Sequence, residues 1–286
     1  MPRIFVIFNP AARGEKSQQL RRFLEAKQSA CVTLAPTERT GDATRLAAQA
    51  DPRDIVVAAG GDGTINEVVN GLTGGTLGIL PLGTVNVFAK ELGIPANIES
   101  AWRVIEAGQT RLVDLGCAEF AGQRRAFVQL AGVGFDARAV RAASWQLKKR
   151  IGPLAYVWAG LKTLTGDNPP VSAGNHTGAA IFIGNGRFYG GRFPLFPAAK
   201  LDDGLLDVCV LDKLNLMNLG RYGPAILFGK HPGLRGVRYF QTAELTCRSV
   251  AGTPFELDGE DAGDVPVTFS LKPRALRLIV RGDFYA

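Results

Sequence analysis

Between residues 3 and 92, short apolar runs alternate with segments of helical period, and this alternation restricts the fold more than any other feature of the chain. RIFVIFN (3–9), CVTLA (31–35), IVVAA (55–59) and TLGIL (76–80) read as strands, being short, rich in β-branched residues and bounded by polar or glycine positions. EKSQQLRRFLEAK (15–27), DATRLAAQA (42–50), residues 64–72 and NVFAKEL (86–92) read as helices, the first with Leu20, Phe23, Leu24 and Lys27 on one face. Strand and helix in turn imply a parallel sheet covered by helices, with ligands bound at the C-terminal strand ends.

At one such end stands GGDGTINEVVNGL (60–72). Gly60, Gly61 and Gly63 permit backbone angles closed to other residues and let a ligand approach the main chain. Ile65, Val68, Val69 and Leu72 follow at helical spacing, with Thr64 as the candidate N-cap. Strand, glycine turn and helix N-terminus together make an anion site suited to phosphate. Asp62 would repel a bare phosphate, so a cation or a transferable proton belongs between them, which points to Mg²⁺ and phosphoryl transfer. The plainer alternative is a tight turn with a solvated aspartate.

Around 111–120 the pattern changes, and strand candidates dominate at 125–132, 178–185, 204–212, 243–249, 265–271 and 275–280. The fold expected is an α/β N-terminal domain with a parallel sheet, followed by a mostly β C-terminal domain. The boundaries read as 1–116 and 117–274, with 275–286 a candidate to return to the first. Residues 135–164 read as a helical excursion carrying Trp145, Lys148, Lys149, Arg150, Tyr156 and Trp158, either a solvated face or a seat at a bilayer interface. Residues 166–178 read as a polar loop.

The formal charge of +7 favours an anionic partner, and membrane contact fits it better than nucleic acid, because no basic stretch interleaves with aromatics as a stacking platform would. The apolar run at 4–8 is too short for a signal sequence, and no run approaches the roughly 18 residues of a spanning helix, so a cytoplasmic protein that visits the membrane transiently is expected. Cys31, Cys117, Cys209 and Cys247 form no CxxC pair and read as buried thiols. With only His176 and His231, a histidine-rich metal site is excluded. Neither a Walker A sequence nor an HRD or DFG triplet occurs, which sets aside the P-loop and protein-kinase routes to phosphoryl transfer. AGVGFDA (131–137) contains GxGxxA but reads as a structural turn.

GGDGTINEVVNGL combined with LPLGTVNVFAKELGIP (80–95) resembles the diacylglycerol kinase catalytic family, which includes bacterial lipid kinases, sphingosine kinases and ceramide kinases. FNPAARG (8–14), TERTGDA (37–43), VDLG (113–116), GRFYGGRFPLFPAAKLDDGLLDV (186–208) and ELDGED (256–261) extend the resemblance over most of the chain. It implies a first domain like that of 6-phosphofructokinase and NAD kinase, a C-terminal β-sandwich, and an active site in the cleft.

On that resemblance, Gly60, Gly61, Gly63 and Thr64 hold ATP phosphates, and Asn9, Thr37, Thr84 and Asn86 contact the nucleotide. Asp62, Asp114 and Glu260 place the catalytic Mg²⁺ or its waters, with Asp62 and Glu260 counted among the catalytic groups. Asp258 is the expected general base for a lipid hydroxyl, although in some relatives the GGDGT aspartate, here Asp62, has that part. Lys200, Asp203 and Leu205 match a structural Mg²⁺ position of some bacterial members. Asp203 and Asp258 each precede glycine and have a turn role as their plain alternative, Asp114 that of a strand-end acid, and Asn9 that of a strand terminator. Val87 stands where bacterial members often have aspartate, which bears on diacylglycerol specificity rather than on kinase activity. The expectation is thus an ATP- and Mg²⁺-dependent lipid kinase acting on a membrane lipid, with a homodimer left open. NAD kinase and a catalytically silent lipid- or nucleotide-binding regulator are the alternatives.

Overall fold

A computed structural model describes residues 3–10, 15–142 and 169–282. The chain divides into two compact units, Met1–Val113 with Arg274–Ala286, and Asp114–Pro273.

In the first unit, β1 (Ile4–Phe8), β2 (Val32–Pro36), β3 (Ile55–Gly60) and β4 (Thr76–Pro81) pair in parallel in the order β2-β1-β3-β4. The helices are α1 (Glu15–Lys27), α2 (Asp42–Ala48), α3 (Asp62–Gly71), α4 (Val87–Glu91) and α5 (Ile98–Ala107). Ile7, Val56, Val57 and Leu77 are fully buried, as strands covered on both faces require, and each such side chain contributes about 1.5–3 kcal/mol. Helix α5, silent in the sequence reading, starts where Asn97 Oδ1 accepts the Ser100 N–H at 2.9 Å and ends at Gly108 with φ 65°. It buries Ala101, Trp102 and Ile105, spaced as one helical face.

The second unit contains β5 (Thr110–Phe120, entering from the first), β6 (Gln123–Phe127), β7 (Leu130–Gly134), α6 (Phe135–Ala142), β8 (Val171–Ala173), β9 (His176–Gly178) and β10 (Ala180–Gly184). These are followed by β11 (Phe188–Tyr189), β12 (Phe193–Pro194), β13 (Leu206–Leu211), α7 (Leu216–Leu227), β14 (Val237–Thr242), β15 (Glu244–Arg248), β16 (Pro254–Leu257), β17 (Glu260–Asp264) and β18 (Val267–Ile279). Six strands form an antiparallel sheet in the order β14-β13-β10-β7-β16-β17.

Alternate residues of this sheet, Ala131 and Val133, Ile181 and Ile183, Val208 and Val210, Phe255 and Leu257, share one core with Phe127, Val171, Cys247, Val267 and Phe269 of the strands facing them. The opposite side of the sheet, with Phe182, Cys209 and Leu211, packs on Leu195, Phe196 and Tyr222. The result is a sandwich with a helix on its outer face. Helix α7 contains Gly220, Gly223 and Pro224, all poor helix formers, so the Asn215 cap on the Asn218 N–H (2.8 Å) and the burial of Tyr222 hold it in place of propensity.

Several sequence expectations change. The strand expected over 125–132 breaks between β6 and β7, because the N–H groups of Val128, Gln129 and Leu130 turn toward the Asp258 carboxylate. The loop expected over 166–178 contains the β8–β9 hairpin, drawn into order by the burial of Val171 and Ala173. The two strands expected at 265–271 and 275–280 are one strand, β18, with Arg274 at φ 51°. Of the helical excursion over 135–164, α6 accounts for the start, and the basic and aromatic residues from Trp145 to Trp158 lie outside the described residues. Cys117, Cys209 and Cys247 are buried as expected, but Cys31 is exposed just ahead of β2. Among the described residues no helix is long and apolar enough to cross a membrane.

Candidate active site

The register of the parallel sheet brings the first unit's candidate residues to one edge. Phe8 pairs with Pro36 on one side and Ala59 on the other, and Gly60 pairs with Pro81. Asn9, Thr37, Gly61 and Leu82 therefore leave the sheet side by side at its C-terminal edge, where α/β sheets bind ligands. Thr37 is buried, its N–H donating to the Phe8 carbonyl at 2.9 Å and its hydroxyl to the same oxygen at 3.4 Å. The loop after it is tied by Asp42, whose Oδ2 accepts from the Glu38 and Arg39 N–H groups at 2.9 and 3.1 Å. Those bonds, Glu38 first, lower the carboxyl's pKa, so the loop stays fastened across the neutral range.

The glycine turn opens α3 one turn earlier than expected. Gly61, in extended conformation, is the N-cap, Asp62 is the first helical residue, and the glycine has no side chain with which to cap the end. Thr64 is displaced from the cap into the first turn, where its hydroxyl would collide with any Cβ added at Gly60. First-turn N–H groups without a capping side chain are the donors an anion seeks. The loop after β4 closes on the same turn: Leu82 N–H donates to the Gly60 carbonyl at 2.9 Å, and a Cβ at Gly83 would lie 2.7 Å from Gly61 Cα. Two main chains in contact thus shape a cradle that excludes a side chain at Gly83 and leaves little room for one at Gly61.

Asn86, at φ 51°, braces this loop by accepting from Gly83 N–H at 3.0 Å and donating to the Gly83 carbonyl at 2.6 Å. Its amide is engaged with the loop itself, whereas Thr84 beside it is exposed. Asp62 Oδ1 accepts the Phe88 N–H at 3.4 Å, which links the glycine turn to the start of α4. A concavity of about 310 Å³ lined by Phe23, Leu82, Asn97 and Ile98, among others, lies beside the β4 end and shares Leu82 with the cradle.

In the second unit, Asp258 and Gly259 join β16 to β17 with φ of 50° and 86°, and Leu257 pairs with Glu260. Two positive φ values in a two-residue connection define the hairpin turn that Asp-Gly favours. The carboxylate turns back on the chain: Oδ2 accepts from Val128 N–H at 2.9 Å, and Oδ1 from Gln129 and Leu130 N–H at 2.9 and 3.1 Å. Glu260 Oε2 is 2.7 Å from Arg125 Nη2 in an ion pair. Asp114 is buried, its Oδ2 accepting the Gly204 N–H at 2.7 Å and its own N–H donating to the Leu201 carbonyl at 2.6 Å. It is thereby tied to the loop of Lys200, Asp203 and Leu205, where Asp203 Oδ1 accepts the Leu205 N–H at 3.0 Å and Lys200 is exposed. Among the described residues no three His, Cys, Asp or Glu side chains cluster as a ready-made metal site.

A further polar group escaped the sequence reading. Asp136 in α6 and Glu256 in β16 are both buried and both reach over Gly132, where an added Cβ would lie 2.6 Å from Asp136 Oδ2 and 2.9 Å from Glu256 Oε1. Tyr189 OH donates to Asp136 Oδ1 at 2.5 Å, and Gly259 N–H to Glu256 Oε2 at 2.6 Å, so Glu256 fixes the turn that carries Asp258. Burial pushes the Asp136 carboxyl up to about 6, against the smaller opposing effect of the Tyr189 bond. The only local signal was an acid inside AGVGFDA, an otherwise apolar stretch.

A parallel sheet with a glycine turn at its C-terminal edge, followed along the chain by an antiparallel sandwich, defines an α/β-plus-β protein. Residues 3–118 match the diacylglycerol kinase catalytic domain, and residues 129–280 match the YegS C-terminal NAD kinase beta sandwich-like domain. A diacylglycerol kinase of Staphylococcus aureus strain bovine RF122 is 33% identical over 298 residues, covering 97% of this chain and 92% of the relative, and the protein of strain JH9 aligns to the same extent. The crystal structure of a diacylglycerol kinase from Bacillus anthracis strain Sterne has a TM-score of 0.71 at 22% identity, covering 99% of this chain and 98% of the other. Yeast NADH kinase complexed with NADH has a TM-score of 0.55 at 7% identity, covering 98% and 84%, and shares the fold. The chain belongs to the diacylglycerol kinase catalytic domain family and is a diacylglycerol kinase-like lipid kinase.

Proposed function

We propose that the protein transfers the γ-phosphate of ATP to a hydroxyl of a membrane lipid, a diacylglycerol or a sphingoid or ceramide-like lipid. The observation that carries this reading is the convergence of Asn9, Thr37, the uncapped Gly61–Thr64 turn and the Gly83 loop on one sheet edge. The cradle offers main-chain N–H groups at van der Waals range, as polyphosphate requires. In our reading Gly61, Gly63 and Thr64 hold the phosphates, Asn9, Thr37 and Thr84 contact the nucleotide, and Asn86 keeps the Gly83 loop in place.

Mg²⁺ suits this donor set, because it is ordinarily held by one or two carboxylates together with substrate phosphates rather than by a dedicated cage. Asp62, in the first turn of α3, is the carboxylate assigned to it, and the ion would offset phosphate charge as transfer proceeds. Asp114 and Glu260 are assigned supporting parts, with Glu260 leaving Arg125 to take it up. Lys200, Asp203 and Leu205 keep the assignment of a second, structural Mg²⁺ position. As the acceptor oxygen bonds to phosphorus and the bond to the bridging oxygen breaks, releasing ADP, the hydroxyl proton passes to a carboxylate, for which we assign Asp258. Asp62 is the alternative acceptor. The enzyme works from the cytoplasm at the membrane surface.

The test is transfer of labelled γ-phosphate from ATP with Mg²⁺ to diacylglycerol, sphingosine, ceramide, phosphatidylglycerol and NAD in mixed micelles. Labelled lipid is expected. Labelled NAD, or ATP binding with no product from any acceptor, overturns the reading. Running Val87→Asp on the same panel shows whether that position steers the choice between diacylglycerol and sphingolipid.

A further inference from the structure

Helix α7 is apolar on two opposite faces. Tyr222 and Ile226 turn inward onto the sheet, while Leu216, Met217, Leu227 and Phe228 are 72, 78, 50 and 74% exposed. At about 100° per residue these four fall in one arc, whose remaining positions are Gly220, Pro224 and, at its edge, Arg221. An ordinary surface helix places charged and polar residues there. Phe193, 42% exposed in β12, adjoins the helix end, since a Cβ at Gly229 would lie 3.5 Å from Pro194 Cγ.

The surroundings are basic. From residue 213 to 243 the chain has Lys213, Arg221, Lys230, Arg235 and Arg238 and no Asp or Glu. Asp212, just outside, is paired with Arg238 at 3.4 Å. Arg221 is fixed along the helix edge by donating to the Arg235 carbonyl at 2.9 Å.

We infer that the exposed face of α7 is the surface by which this protein docks on an anionic lipid bilayer, with Leu216, Met217, Leu227 and Phe228 entering the interface and Lys213, Arg221 and Lys230 meeting headgroup phosphates. Charge selects the bilayer over a second copy of the chain: a two-fold contact through this face would set its basic residues against their own copies, with no carboxylate in the stretch to answer them. The inference rests on the lipid-kinase reading only for the reason a bilayer is approached, so its test uses vesicles without an acceptor lipid.

Flotation with vesicles of phosphatidylcholine alone, or with phosphatidylglycerol added, compares the wild type with Met217→Ser/Phe228→Ser and with Arg221→Glu/Lys230→Glu. All four positions are exposed, and circular dichroism and a thermal melt check that the variants keep the wild-type fold. The wild type should float with the anionic vesicles and lose binding as salt rises. The serine pair should lower partitioning by about tenfold or more, and the glutamate pair should do so on anionic vesicles only. Equal binding by all three proteins overturns the inference. So does a wild-type dimer, seen by light scattering, that the serine pair abolishes while vesicle binding is absent throughout. Because ATP and acceptor are left out, failure here leaves the phosphotransfer assay standing, and the reverse also holds.

Discussion

Replacing Asp258 by asparagine separates two roles that one carboxylate plays. Its oxygens accept three main-chain N–H groups, from Val128, Gln129 and Leu130, at 2.9–3.1 Å. In the best asparagine rotamer the remaining oxygen keeps Gln129 and Leu130, now as neutral bonds, while the amide nitrogen meets the Val128 N–H donor to donor. Hydrogen bonds to charged groups are worth about 1.5–3 kcal/mol and neutral ones about 0.5–1.5, so losing one and weakening two costs about 3.5–6 kcal/mol. The cost falls on the strand break between β6 and β7 and on the β16–β17 turn. Urea unfolding of both proteins at pH 7.5 measures it, and a free-energy difference below about 0.5 kcal/mol would refute this account of the turn. Loss of phosphotransfer in Asp258→Asn therefore does not by itself identify a general base. Base catalysis adds a fall in kcat of about 10²–10⁴-fold that persists under conditions where the variant is shown to be folded.

Gly83→Ala places a methyl 2.7 Å from Gly61 Cα and should weaken ATP binding, read by calorimetry, by about tenfold or more while the protein stays folded; unchanged affinity would mean that the two loops do not form the cradle. Asp136 has a pKa raised to about 6 from 3.8, so the folded state binds the extra proton between those values, and the contribution of this group to stability is greatest below about pH 4 and declines as pH rises to about 6. The span corresponds to roughly 3 kcal/mol, and Asp136→Asn, which still accepts from Tyr189, should flatten this part of the urea-midpoint profile; parallel profiles would remove Asp136 as its source. A thiol reagent should label one cysteine quickly in the native protein, and Cys31→Ser should abolish that label, since Cys117, Cys209 and Cys247 are buried and the last two have thiols pushed up to about 12. Rapid labelling of two or more would mean that the sandwich core opens.

Much of the first unit is legible because its signals are local. Each of β1 to β4 carries its own apolar run, each of α1 to α4 its own helical pattern, and parallel pairing then brings Asn9, Thr37 and Gly61 to one edge without further information. The hairpin at LDGE is legible for the same reason, Asp-Gly being a turn by itself. What escapes notice depends on distant partners. The strand break at 128–130 answers to Asp258, about as far away along the chain as Asp136 is from Glu256, and neither relation leaves a mark on its neighbours. Helix α7 is hidden by Gly220, Gly223 and Pro224 and by apolar residues on both faces, which blur the period that reveals an ordinary amphipathic helix. The cap at Gly61 rather than Thr64 shows preference yielding to geometry, since a glycine turn that leaves its first N–H groups uncapped is unhelpful to the helix and useful to an anion.

Strand β18 leaves the second unit after Pro273 and ends in the first, where Leu278 registers with Leu77 of β4 and the Val280 N–H reaches the Gln109 carbonyl at 2.9 Å. A ribosome making this chain therefore completes the sandwich's residues before it delivers the last strand of the sheet that it began first. Until then the β4 edge waits with its hydrogen-bonding groups unanswered, an open template for any passing strand. The order of synthesis makes residues 274–280 the ones that close the sheet of the first unit, and a chain interrupted before them would be vulnerable at the part that was made first.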